Sequence, residues 1–166
     1  MKLQQYDLDD DELSELTTAD SLKVQFSNED IRKSCNVPMV VKYDYIDLCN
    51  TDYNFKQEFL LKDTQKYFEM MNLISRSTVN ELLDRGYELH FRDSEIKGNL
   101  KNALKKHLPD AIKSMPTFFH FALYTNQNAN RKTGVRSPRI YFFLGNNGFA
   151  YPVFFDPYHE LNPIKD

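Results

Sequence analysis

The side chains best suited to chemistry cluster near the end of the chain and around residue 90. His159 and Tyr158 close the run Asp156-Pro157-Tyr158-His159, His90 lies two residues before Arg92, and Arg139 opens a long aromatic stretch. An imidazole with an unperturbed pKa of about 6.5 exchanges its proton near neutrality, so His159 and His90 are candidate general acids or bases. Arg92 and Arg139 are candidate electrophiles, because a guanidinium matches phosphate oxygens two at a time and stabilises developing negative charge. Together, these five side chains have the functional groups needed to cut RNA without a metal. A base takes the ribose 2′-OH proton, cations hold the pentacoordinate phosphate, and an acid protonates the leaving 5′-oxygen.

Each group also has a structural alternative. Asp156 could accept turn amides while His159 caps the sheet edge, and Arg139 could pair with Asp156 across a hairpin. His90 and Arg92 could belong to an exposed polar face with Glu88. His120 lies among Phe118, Phe119 and Phe121 and is expected to be a hydrogen-bonded core histidine. Asp156 with His159 lacks further ligands at a diagnostic spacing, so no metal site and no cofactor is expected.

Around these groups the charge is uneven. From Ile96 to Arg139 there are nine Lys or Arg and one acid, Asp110. Lys97, Lys101 and Lys105 recur every four residues and so form one ridge of a helix. Arg131, Lys132 and Arg136 lie in a loop, Asn126–Pro138, that contains no acid. These six are candidate nucleic-acid-binding residues: lysines neutralise phosphates by counterion release, and nearby Tyr and Phe can stack on unpaired bases. The same patch could instead be a solvated face, or dock an acidic partner or the chain's own tail. Residues 1–20 hold seven acids and one lysine, and a run this acidic is expected to be a disordered tail. Residues 21–166 are expected to fold as a single domain.

Other classes lose their usual support. The sequence has no Gly-rich phosphate loop, no Gly-x-Ser-x-Gly elbow and no His-Glu-x-x-His. No apolar run is long enough to span a membrane, and no signal peptide is evident. Cys35 and Cys49 cannot make a disulfide framework, so a cytoplasmic location without membrane contact is the expectation.

The positioning elements follow from periodicity. Residues 39–48 read as a strand, and 55–74 has nearly helical apolar spacing. Thr78-Val-Asn-Glu81 is a capping box opening a helix to Arg85, with Gly86 suited to a left-handed C′ position. Residues 87–92 alternate as a strand, and a helix is expected from about Glu95 to His107, capped by Asp93 or Ser94. Phe118–Tyr124 reads as a strand. The ending reads as two strands, the second from 149 to 155, around a turn at Asn147-Gly148. That register sets Arg139 opposite Asp156, and Pro152 demands a sheet edge or a bulge. The fold class is therefore α+β, with helices packed on an antiparallel C-terminal sheet behind a flexible acidic tail.

This order loosely resembles the RelE/ParE superfamily of bacterial toxins, whose ribonuclease members cut messenger RNA on the ribosome. Such ribonucleases usually place basic residues on the sheet and a Tyr or His-Tyr near the C-terminus, positions that Arg139 and Tyr158-His159 could fill here. The closing hairpin is also similar to that of small uncharacterised bacterial proteins ending in Asp-Pro-x-His. The resemblance implies RNA or ribosome-bound mRNA as substrate and a cognate antitoxin or other protein as partner. The alternative is a non-enzymatic interaction module of a bacterial defence or regulatory system.

Overall fold

The computed structural model describes residues 32–49, 52–109 and 117–163. The acidic tail expected over residues 1–20 lies outside them. The described elements run β1 (Val40–Val41), α1 (Leu61–Ile74), α2 (Val79–Asp84), α3 (Gly86–Leu89), β2 (Arg92–Ser94), α4 (Gly98–His107), β3 (Phe118–Ala122), β4 (Arg139–Leu144) and β5 (Phe149–Asp156). The strands form one sheet in the order β1-β5-β4-β3-β2, antiparallel except where β1 joins β5. The fold is α+β.

Aromatic and β-branched residues make β3 and β4 good strands, and burial on both faces makes them central ones. Ile140, Phe142 and Leu144 point to one face, where they join Phe119, Phe121 and Phe155 against Tyr67, Met71 and Ile74 of α1 and Val79 and Leu82 of α2. Tyr141 and Phe143 point to the other, joining Phe118, Val153 and Phe154 against Leu100, Ala103 and Leu104 of α4. The sheet is thus sandwiched between helices. The aromatics of β3 and β4 therefore form the core and are not free to stack on bases.

The closing hairpin reaches its expected register by a different route. Arg139 does face Asp156, but the turn holds three residues, Asn146–Gly148, not two. A bulge compensates: Tyr141 pairs with Phe154 and Phe142 with Pro152, leaving Val153 as the extra residue. Pro152 sits beside that bulge, where no ladder amide is required. Gly148 has φ of 76°, and a Cβ there would lie 2.8 Å from the Pro38 carbonyl oxygen, so glycine lets the turn pack close to β1.

Two predicted strands are replaced. The strand over 39–48 shrinks to Val40–Val41, which pairs with Phe149 and Ala150. Residues 87–92 do not alternate: Gly86–Leu89 is a helical turn, His90 takes a left-handed conformation with φ of 49°, and β2 begins at Arg92. Gly86 is not left-handed. A Cβ there would sit 2.9 Å from the Phe91 carbonyl oxygen, so glycine permits the chain to double back. Among the helices, the Thr78–Glu81 capping box is present, each side chain bonding the other's backbone amide. The first long helix begins at Leu61, leaving Leu60 and Phe68 exposed. The last begins at Gly98 with Lys97 at its N-cap, so Asp93 and Ser94 belong to β2 instead of capping.

A buried ion pair ties α1 to the loop before β4. Asp63 is wholly buried and accepts from Arg136 Nη2 at 2.7 Å, Tyr124 Oη at 2.9 Å and its own Leu60 amide at 2.8 Å. Removing one member of a buried pair strands the other charge, at a cost of roughly 3–5 kcal/mol. Asp63→Ala is therefore expected to lower unfolding free energy by about that amount in urea denaturation. Asp63→Leu combined with Arg136→Met should recover most of the loss, because no unpaired charge remains.

Candidate functional site

At the β2-β3-β4 end of the sheet lies a cleft of about 320 Å³ lined by His90, Arg92, Asp93, His120, Arg139, His159, Asn162 and Pro163. The side chains arrive on several separate supports. Arg92 and Asp93 come from the edge strand β2, with Arg92 directly opposite His120 on β3. Arg139 begins β4, opposite Ala122 at the end of β3. His159, Asn162 and Pro163 lie on the return that follows β5.

Asp156 builds that return. It is fully buried and accepts from the amides of Tyr158 at 3.2 Å and Leu161 at 2.7 Å. These bonds fold the chain back so that His159 adopts φ of 59°. His90 and His159 are thus both held in the left-handed region, which non-glycine residues rarely occupy and which often accompanies function. The first turn of α4 docks on the same segment, with the Leu100 amide donating to Leu161 O at 3.1 Å and Asn99 Nδ2 to Glu160 O at 2.8 Å.

Arg139 forms the floor. It is 4% exposed, and its Nη1 lies within hydrogen-bonding distance of the carbonyls of Tyr124, Ser137 and Pro138. The direct Arg139–Asp156 ion pair does not form; the guanidinium turns to carbonyls and the carboxylate to amides. Arg139 Nε is buried and has no partner among the described residues. An orphaned buried donor is unusual in native proteins.

The histidines are electrostatically coupled. His120 stacks on Tyr141 with ring centroids 5.2 Å apart and lies 6.2 Å from the His159 ring. Its Nδ1 is 2.6 Å from Ser94 Oγ. Burial, then the charges of Arg139, His159, Arg92 and His90, push its pKa down to about 3. Burial and the same arginines lower His159 to about 4. His90 is lowered by burial, Arg139 and Arg92. Around neutrality the cleft holds neutral imidazoles beside arginines, an arrangement ready to accept an anion. Asp156 moves the other way, up to about 6, chiefly through burial.

Four of the five candidate catalytic residues therefore meet: His159, His90, Arg92 and Arg139. Tyr158 does not line the cleft; Arg131 lies over its ring at 4.6 Å. His120 is indeed a buried, hydrogen-bonded histidine, but it also lines the cleft, which the sequence reading missed. The signal was the alternation of β3, which turns His120 away from Phe119 and Phe121. Among the basic candidates, Lys101, Lys105 and Lys132 are exposed, and Lys97 pairs with Glu95 at the surface. Arg131 bridges Glu58 and Glu160, and Arg136 is buried against Asp63. Those two arginines tie the loop to the body of the fold.

Compared with protein-family models, curated proteins and solved structures, the chain matches none. No helix among the described residues is long and apolar enough to cross a membrane.

The pKa shifts make stability depend on pH in a signed way. His120 and His159 have depressed folded pKa values, so the unfolded chain binds more protons between about 3 or 4 and 6.5, and stability is lost as pH falls through that window. Asp156 is raised from 3.8 to about 6, so its contribution opposes theirs below pH 6. Urea denaturation between pH 7 and 4.5 should show falling stability, with a limiting slope of about 1.4 kcal/mol per pH unit for each extra proton bound by the unfolded chain. His120→Phe should flatten that slope, and Asp156→Asn should steepen it.

Proposed function

We propose that the cleft binds a phosphodiester of RNA and cleaves it by metal-independent acid–base chemistry. The observation that carries this reading is the convergence of three histidines and two arginines, from four separate parts of the chain, in one cleft of single-nucleotide size. Arg92 and the orphaned Nε–H of Arg139 are suited to the phosphate oxygens. His159, whose imidazole stays neutral down to about pH 4, suits the base that takes the 2′-OH proton. His90 is the cleft histidine least displaced from the ordinary value, so it most readily carries the proton for the leaving 5′-oxygen. Lys97 and Lys101, on the ridge of α4, extend the positive surface from a helix tied to the cleft wall. The reading agrees with a messenger-RNA endonuclease of RelE-like type.

A second reading has one observation in its favour. Leu61 is 87% exposed and Phe68, seven residues along the same helix, is 62% exposed, with Leu60 beside them. An apolar stripe of this kind on α1 suits a protein partner, whether an inhibitor of the nuclease or the target of a non-enzymatic module.

The test adds the purified protein to a reconstituted translation reaction and maps mRNA ends. Cleavage is expected with the wild type, and His159→Ala and Arg92→Ala should each lose roughly 100- to 10,000-fold in rate. Arg92 is the arginine to test, because Arg139 also holds the fold. The free-protein kcat/KM profile should be bell-shaped, rising above about pH 4 as His159 loses its proton and falling below the ordinary imidazole value of 6.5 as His90 loses its own. Intact mRNA, or full activity in both variants, rejects the nuclease.

A further inference from the structure

We infer that Ser94 fixes His120 in the tautomer that presents Nε2–H to the cleft, making His120 a standing hydrogen-bond donor to a substrate phosphate oxygen and not a proton-transfer group. This rests on the phosphodiester reading of the cleft and assigns the one histidine that the reading left without a task.

The argument begins with register. Arg92 lies opposite His120 and Ser94 opposite Phe118, so Ser94 and His120 are diagonal neighbours on one face of the β2-β3 ladder. Their side chains meet at 2.6 Å, Oγ to Nδ1, and each residue is 6% exposed. Two proton arrangements fit that contact. In one, Nδ1–H donates to Oγ; the hydroxyl then needs another acceptor, and Ser94 Oγ makes no other hydrogen bond among the described residues. In the other, Oγ–H donates to Nδ1 and every buried polar atom of the pair is satisfied. The second arrangement places the ring proton on Nε2.

The surroundings hold that state. Tyr141 stacks on the ring and fixes its plane. Burial, and after it the charges of Arg139, His159 and Arg92, oppose a second proton and keep the imidazole neutral through the working pH range. A neutral ring with Nδ1 occupied cannot accept a proton from substrate at that nitrogen, and its Nε2–H points charge-free donor character at an anion. Ser94 is not among the residues lining the cleft, so it acts through His120 as a positioning residue and not as a nucleophile.

The test reads the tautomer directly. Two-bond proton–nitrogen correlation spectra of the uniformly ¹⁵N-labelled full chain at pH 7 should show His120 with Nε2 protonated and Nδ1 bare. In Ser94→Ala that pattern should give way to a tautomer mixture, and Ser94→Thr, which restores the hydroxyl, should recover it. A protonated Nδ1 in the wild type, or an unchanged tautomer in Ser94→Ala, overturns the inference. In the RNA cleavage assay, Ser94→Ala should lower kcat/KM roughly 10- to 100-fold, by analogy with the loss when a partner that orients a metal-bound histidine is removed. Both limbs of the pH profile should stay in place, because the proton-transfer groups are elsewhere, and a shifted limb would also overturn it. If the wild type cleaves no RNA, the phosphodiester reading fails while the spectra still decide the tautomer.

Discussion

Arg139 and Asp156 face one another across β4 and β5, both almost wholly buried, and the cleft takes its shape from how each is satisfied. A simple ion pair would have joined them and left the flanking loops untethered. Instead the guanidinium gathers carbonyls from Tyr124, Ser137 and Pro138, pinning the end of β3 and the loop's exit. The carboxylate gathers amides from Tyr158 and Leu161, bending the chain after β5. Charges removed from water this completely are costly unless well bonded, and here the bonding partners are backbone groups that define where His159 and Asn162 stand. The positive floor and the curled wall are two consequences of one cross-strand arrangement.

That arrangement also sets the electrostatics. Arg139 heads the charges that depress His120 and His159, and it contributes to His90. Neutral imidazoles next to fixed guanidiniums give a site whose positive potential does not depend on histidine protonation. An entering anion would raise all three pKa values, so binding and proton uptake are coupled. The loop at Asn126–Pro138 has a supporting part. Its arginines reach Glu58, Asp63 and Glu160, and so brace the body that holds the cleft.

Local patterns were legible in the sequence, and long-range meetings were not. The Thr78–Glu81 capping box could be read because both partners lie within one helical turn. The Arg139–Asp156 pairing was also reached, but through two errors that cancel: the turn is one residue longer than expected, and the bulge at Val153 restores the register. The alternation over 87–92 misled because the chain's close approach at Gly86 and the left-handed His90 reverse its direction, features that apolar spacing does not encode. The hydrogen-bonding partner of His120 was not legible, since Ser94 lies 26 residues away and meets it only once β2 pairs with β3. Likewise, Arg131 and Arg136 looked free because their acidic partners lie 29 to 73 residues away.

The most direct test of the cleft as an RNA phosphate site is a titration with a dinucleotide carrying a 2′-methoxy group, which cannot be cleaved, followed through the histidine side-chain resonances. The account predicts saturable shifts at His90, His120 and His159, each moving toward a higher pKa as the phosphate enters, with affinity falling as salt rises. Histidine resonances unmoved at saturating ligand would contradict it.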